Sequence, residues 1–284
     1  MSILQAIFLG VIQGLTEFLP VSSSGHLAIF QNLFHIGEGT QDLFLFDILL
    51  HLGTLIAIFV VYHKDIWKMI VETFGMIGDI FANIGHVIKK EETVKVIHTG
   101  YRKFVVMVII STIPTGILGI LMKDISEAAG KTLIMPGIFL LITAGLLFVA
   151  DRAPEGNKTP KTSTYLDSII VGITQGIATL PGISRSGTTI TTLLLCGFEK
   201  KYAVKYSFIM SIPAVLGACV MEIKDAIGMK FEISYLVGLV VSAVVGYIAI
   251  KTMLVVVRKK KYIVFSIYCF IAGLVAIIGN FFTK

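Results

Sequence analysis

The sequence predicts an all-α polytopic membrane protein. It has six transmembrane helices plus two re-entrant helical hairpins, arranged as an inverted-topology repeat in one integral membrane domain, 1–284. Three observations carry this expectation. The chain is 55% hydrophobic and only 15% charged, with mean hydropathy +0.88, whereas a soluble domain carries about 25% charged residues. Six apolar runs reach the length of a spanning helix, roughly 17–25 residues. Two further apolar regions are each broken in the middle by Pro, Gly and Ser, and the two breaks resemble one another.

The first broken region is 2–34. No continuous helix can be drawn through L-P-V-S-S-S-G at 19–25. Irregular backbone at membrane depth survives only inside protein or against a wet cavity. The region therefore reads as helix in, polar turn, helix out. It lacks a basic n-region and a small-residue cleavage site, so it is expected to be retained rather than removed as a signal peptide. Spans follow at 43–62, 104–122 and 133–150. Between the first two lies the one long insert, 63–103. Its Trp67, Phe74 and Phe81 recur at helical intervals, which predicts an amphipathic helix over 64–90 on the inner surface; a loosely packed loop helix is the alternative. The second broken region, 168–198, is cut by L-P-G-I-S-R-S-G. Spans at 206–221, 233–257 and 262–282 complete the chain, the first of them short and holding Pro213.

A shift of 162 residues lays 10–25 over 172–187 without a gap. Gly10, Gln13, Gly14, Ser22, Ser24 and Gly25 fall on Gly172, Gln175, Gly176, Ser184, Ser186 and Gly187. Six identities in sixteen far exceed the roughly one that composition alone gives. The pseudo-repeats are approximately 1–150 and 165–284, each one hairpin plus three spans. Three is odd, so the second hairpin enters from the opposite face, and both broken elements converge near the midplane.

The net charge of +6 does not point to nucleic acid. The basic residues flank apolar runs, at 63–103, 151–167, 199–205 and 258–261, and the positive-inside rule accounts for them. With residue 1 outside, those loops lie inside, leaving Lys123, Lys131, Lys224, Lys230 and Lys284 outside. Cys196, Cys219 and Cys269 are odd in number, lack metal-ligand spacing and read as small apolar residues. No Walker lysine is present in its frame, so nucleotide hydrolysis has no support.

The chemistry lies in the two breaks. A charged side chain at bilayer depth is costly and marks function or pairing. Arg185 is flanked by Ser184, Ser186, Thr188 and Thr189. A guanidinium binds phosphate oxygens bidentately, and a turn entering a helix N-terminus aims N–H donors at an anion. Together they predict a pyrophosphate cradle; a structural arginine on carbonyls is the bland alternative. In the first break, Glu17 and His26 bracket Ser22, Ser23 and Ser24, and Gln13 shares the helical face of Glu17. A serine hydroxyl needs a base to become a nucleophile, and histidine is the usual one. The carboxylate can orient that histidine or hold a divalent metal. Asp47 and His51 read as a structural pair, or as a supporting pair near the cavity mouth.

Q-G-L-T-E-F-L-P-V-S-S-S-G-H at 13–26 and P-G-I-S-R-S-G-T-T at 181–189 resemble the two signature motifs of the bacterial undecaprenyl-pyrophosphate phosphatase family, also called the bacitracin-resistance protein. The similarity extends to F-D-I-L-L-H-L-G-T at 46–54 and F-I-M-S-I-P-A at 208–214. The resemblance implies hydrolysis of undecaprenyl pyrophosphate, lipid-carrier recycling for cell-wall synthesis, bacitracin tolerance and a divalent cation, Mg²⁺ or Ca²⁺. It implies functional roles for Glu17, Ser22, Ser23, His26 and Arg185, supported by Ser184, Ser186 and Thr189. The family pattern allows Glu or Gln at the first motif position. This chain has Gln13, which leaves Glu17 as the main acidic residue for a metal. In the expected mechanism Arg185 holds the pyrophosphate and His26 activates Ser23 or a water; Ser23, His26 and water remain open as nucleophile. The expected setting is the bacterial cytoplasmic membrane, with an outward cavity, membrane lipids around it and a homodimer allowed for. The rival readings are a lipid-carrier transporter or flippase, whose architecture also uses inverted repeats, and a scaffold without chemistry.

Overall fold

The computed structural model describes residues 1–34, 36, 42–222, 231–258 and 261–280. Among them are eleven α-helices and no strand: α1 (Ile3–Phe18), α2 (Ser23–Leu33), α3 (Asp42–Lys89), α4 (Gly100–Leu121), α5 (Lys123–Gly130), α6 (Ile134–Arg152), α7 (Tyr165–Ile177), α8 (Arg185–Leu195), α9 (Lys200–Glu222), α10 (Ile233–Arg258) and α11 (Tyr262–Gly279). Six of these, α3, α4, α6, α9, α10 and α11, are long and apolar enough to cross a membrane. They fall on the six runs expected from hydropathy.

The surface explains why. On α4, Ile109, Ile113, Ile117 and Ile120 recur at helical spacing and are all more than half exposed. Val240, Val244 and Ile248 do the same on α10, and Val264, Ile267, Ile271, Val275 and Ile278 on α11. Stripes of exposed isoleucine and valine are stable against lipid and not against water. The chain is a multi-pass membrane protein.

Several boundaries differ from those read in the sequence. The short run at 206–221 is part of a longer helix, α9, which begins at Lys200 and runs through Pro213. Neighbouring helices at membrane depth tolerate such a proline. The run 43–62 does not end at 62: α3 continues to Lys89, with a local break at Tyr62 (φ −105°, ψ 18°). The amphipathic helix over 64–90 is thus an arm grown from a span. Trp67, Phe74 and Phe81 are about 70% exposed along one side. On the other side Arg102 Nε donates to Glu72 at 2.8 Å, and Arg102 also pairs with Asp79. Asn83 exchanges two hydrogen bonds with the main chain of Val94. These contacts tie the arm to the start of α4, so it is not a loosely packed loop helix. Lys224, Lys230, Lys259, Lys260, Lys284 and the end of the run 262–282 lie outside the described residues.

The two broken regions each form a helix pair. α1 turns through 19–22 into α2, and α7 turns through 178–184 into α8. One apolar core joins them: Phe18 and Val21 from the first pair, Ile190 and Leu193 from the second, with Leu140 of α6, Phe208 of α9 and Ile250 of α10. That shared core brings the two turns together.

Candidate active site

Each turn is built by the same device. Ser22 caps α2, its Oγ accepting from Gly25 N at 3.3 Å. Ser184 caps α8, its Oγ accepting from Gly187 N at 3.1 Å. These are the serines and glycines matched by the 162-residue shift. Ser22 has φ 69°, so the chain reverses there from helix to helix. The tips then touch: Gly182 N donates to Ser22 Oγ at 3.0 Å. Gly182 has φ +107°, a conformation that favours glycine. A Cβ on Gly25 would stand 2.8 Å from Gly182 Cα, so only a glycine lets the two backbones meet. Thr143 of α6 anchors the second tip, donating to Gly182 O at 2.8 Å and accepting from Ser184 N at 2.9 Å.

Glu17 and Arg185 form a direct ion pair between the tips. The second carboxylate oxygen of Glu17 accepts from Ser23 Oγ at 2.6 Å and from Gln13 Nε2 at 3.1 Å. Arg185 Nη1 is buried with no hydrogen-bond partner. The pair is not sealed, because the Arg185 side chain keeps 16% exposure and Ser23 and Ser24 are half-buried. Two helix N-termini therefore converge on one arginine that has a spare donor. Helix N-termini, capped or not, carry partial positive charge and favour anions.

His26 is placed differently from the sequence expectation. Its Nδ1 lies 2.8 Å from Ser22 O, and its Nε2 lies 2.7 Å from Tyr268 Oη. A carbonyl only accepts, so Nδ1 carries the proton, and in the neutral ring Nε2 accepts from the tyrosine hydroxyl. The Tyr268 ring stacks on the imidazole. Both nitrogens are occupied, and the hydroxyl of Ser23 goes to Glu17 instead. The expected His26–Ser23 pairing is not made, nor does Arg185 face a glutamate–histidine pair across a gap: it meets Glu17 itself.

The remaining predicted residues surround this centre. Ser186 Oγ reaches Leu19 O at 3.4 Å, across the two turns. Thr189 Oγ1 donates to Arg185 O at 2.8 Å and shares a 2.6 Å bond with Ser207 of α9. Thr188 Oγ1 is buried and unpartnered. Asp47 and His51 do not join side chain to side chain. His51 Nδ1 donates to the Asp47 carbonyl at 2.8 Å, while Gln31 Nε2 donates to the Asp47 carboxylate at 3.1 Å. Sequence reasoning missed Thr143, Ser207 and Tyr268. Thr143 and Tyr268 are single polar groups in apolar runs, and Ser207 follows the basic start of α9; none is marked by a motif.

The family described as Bacitracin resistance protein BacA matches residues 6–275. The chain belongs to this family. It is similar to the undecaprenyl-diphosphatase of Methanosphaera stadtmanae, 41% identical over 98% of each chain. It is also similar to that of Alkaliphilus metalliredigens, 42% identical over 98% of each, and that of Methanobrevibacter smithii, 40% identical over 99% of this chain and 98% of the relative. In this member of the BacA family the two long motifs are the two turns that meet, and their charged residues are the ion pair between them.

Proposed function

We infer that this chain is an undecaprenyl-diphosphatase, converting undecaprenyl pyrophosphate and water to undecaprenyl phosphate and inorganic phosphate. The reaction recycles the lipid carrier for cell-wall synthesis and gives bacitracin resistance. The relatives carry this name, and nothing in them favours a carrier transporter. The observation that carries the reading at the level of atoms is the Arg185 guanidinium, with Nη1 free, set between two helix N-termini beside one carboxylate.

Phosphoryl transfer relies chiefly on positioning and charge neutralisation. Arg185 and the N-termini of α2 and α8 bind the diphosphate. Binding draws Arg185 off Glu17, and Glu17 is released as a base. Ser23 Oγ, already donating to Glu17, attacks the terminal phosphorus and passes its proton to that carboxylate. The bond to the bridging oxygen breaks and undecaprenyl phosphate leaves. Water then hydrolyses the phosphoserine, with Glu17 returning a proton. His26, held between Ser22 O and Tyr268, is a positioning residue for the turn that presents Ser23. Ser24, Ser184, Ser186, Thr188 and Thr189 shape and line the cradle.

The family resemblance implies a divalent cation. Gln13 Oε1 is buried without a partner and lies one helical turn from the Glu17 carboxylate. This hard oxygen pair fits Mg²⁺ or Ca²⁺ if diphosphate oxygens complete the shell. Among the described residues no group of three His, Cys, Asp or Glu could hold a metal without that help. When bound, the cation would neutralise charge on the diphosphate.

Two features support re-entrant hairpins within an inverted repeat. α1 and α7 are too short to span, at 16 and 13 residues. Their packing is also exchanged: α1 lies along α10, and α7 lies along α4, the equivalent span of the other half. The basic loops favour an inward 63–103 side; on this reading the polyprenyl tail lies in lipid between spans and the tips are reached from outside. The test is release of phosphate from undecaprenyl pyrophosphate by purified protein with a divalent cation present. Release abolished by R185A is the expected result; saturable binding without release would replace this reading with a carrier.

A further inference from the structure

Away from the Glu17–Arg185 pair, a cavity of about 350 Å³ lies between the start of α4, the loop at 159–161 and the start of α9. That volume is within the range of small-ligand sites, about 300–1,000 Å³. Tyr101, Phe104 and Tyr202 supply aromatic walls, and Lys161 and Lys205 supply cations. None of the residues at the meeting turns lines it.

The charges in this region do not cancel. Asp65 lies behind the cavity lining, accepting from Lys205 Nζ and from Tyr101 Oη, two lining residues, each at 2.7 Å. Lys68 Nζ sits 5.4 Å from the centre of the Tyr101 ring. Lys161 is exposed, and its ammonium has no hydrogen-bond or ion-pair partner among the described residues. Lys205 and Lys68 thus share Asp65, and Lys161 lines the same cavity with no carboxylate of its own. The nearby acids are engaged elsewhere: Asp167 takes Lys158 at 3.2 Å, and Glu155 takes Lys200. The loop is held in place, because Lys103 Nζ donates to Lys161 O at 3.0 Å and Ser163 O at 2.6 Å.

The position is also informative. The arm of α3, the start of α4, the 159–161 loop and the start of α9 are where three basic segments of the sequence converge. Apolar walls with an unpaired Lys161 beside Lys205, which shares Asp65, suit a phosphate at the membrane surface. We propose that this cavity is a second phosphate-binding site, taking the phosphate group that an anionic phospholipid headgroup or free inorganic phosphate presents. Lys161 and Lys205 contact the anion, and the tyrosine rings border it. The inference is independent of the hydrolytic reading.

The test is calorimetric titration of the detergent-solubilised full chain with dioctanoyl phosphatidylglycerol, with inorganic phosphate, and with dioctanoyl phosphatidylcholine as control. Titrations are run in an R185A background, so that phosphate held between the turns is not counted. Substituting Lys161→Ala is expected to weaken binding about fivefold, and Lys161→Glu about 25-fold. Either substitution made in the otherwise unaltered chain leaves turnover unchanged, which reports correct folding. Binding of the glycerol lipid that phosphate does not displace identifies a headgroup site. Binding of phosphate alone, with the same sensitivity to Lys161→Glu, identifies a free-anion site. Binding of neither, or equal binding by the Lys161→Glu chain, overturns the proposal.

Discussion

Gly25→Ala tests whether contact between the two turns is what assembles the site. The added Cβ would stand 2.8 Å from Gly182 Cα and 2.9 Å from Gly182 N. Carbon atoms attract best at about 3.5–4.0 Å, so the turns must part by about 0.7 Å or more. Gly182 has no slack to give. Its backbone lies against Pro136, its carbonyl is held by Thr143, and its N–H is held by Ser22. Overpacking of this kind costs about 1–3 kcal/mol. The larger effect falls on rate. Ser23 and Glu17 belong to one turn and Arg185 to the other, so separation of the turns moves the proposed nucleophile away from the phosphate that Arg185 is proposed to hold. A misplacement of about 1 Å can cost about 100-fold. Phosphate release from undecaprenyl pyrophosphate should therefore fall about 100-fold, with a modest loss of thermal stability. Gly78→Ala is the control, because a Cβ there meets nothing within 4 Å. A Gly25→Ala rate within about threefold of the parent would refute the claim that contact between the turns sets the geometry.

Arg185→Ala should lower turnover by about 10³–10⁵-fold, the range seen when an arginine neutralises charge in phosphoryl transfer. Arg185→Lys should recover little of it, since an ammonium lacks the fork that spans two acceptors; single-turnover rates of both variants check this. Ser23→Ala should abolish a phosphoenzyme that acid quenching traps from the parent chain. Ser22→Ala should slow turnover while the phosphoenzyme still forms, because Ser22 caps α2 and holds Gly182 rather than attacking. Tyr268→Phe removes the hydroxyl on His26 Nε2 and should slow turnover about tenfold, on the order of one lost hydrogen bond. If His26 were instead the base for Ser23, freeing its nitrogen would raise the rate.

The spans were legible because lipid enforces them. The outer faces of α4, α10 and α11 are apolar over most of their length, with Lys251 and Thr252 exposed toward the end of α10, and that constraint is visible one residue at a time. The breaks were legible for the converse reason: Pro20, Gly182 and the serines cannot sit in a bare helix at membrane depth. The internal match at 162 residues paired Ser22 with Ser184 and Gly25 with Gly187, and these are the caps that shape both turns. The partners of the site residues were not legible. Ser23 lies near His26 in sequence, yet the φ of 69° at Ser22 turns its hydroxyl back toward Glu17. Tyr268 is 242 residues from His26, in an apolar run where one hydroxyl carries no pattern. The arm of α3 was obscured by its lysines, which mark the end of a span without marking the end of a helix.

The ion pair between the turns decides how such a site can wait for its substrate. Glu17 is nearly buried, and removing one partner from a buried pair is strongly unfavourable because the other charge is left uncompensated. A guanidinium alone between two helix N-termini would be worse still, since both N-termini repel a cation. The Glu17 carboxylate therefore supplies the anion that Arg185 pairs with between the turns. A diphosphate brings more negative charge and more acceptor oxygens than one carboxylate, so it can take Arg185 and the N-termini together. On the proposed mechanism Glu17 is then left without its cation while it still accepts from the hydroxyl of Ser23. On that mechanism, arrival of the substrate and activation of Ser23 are one event.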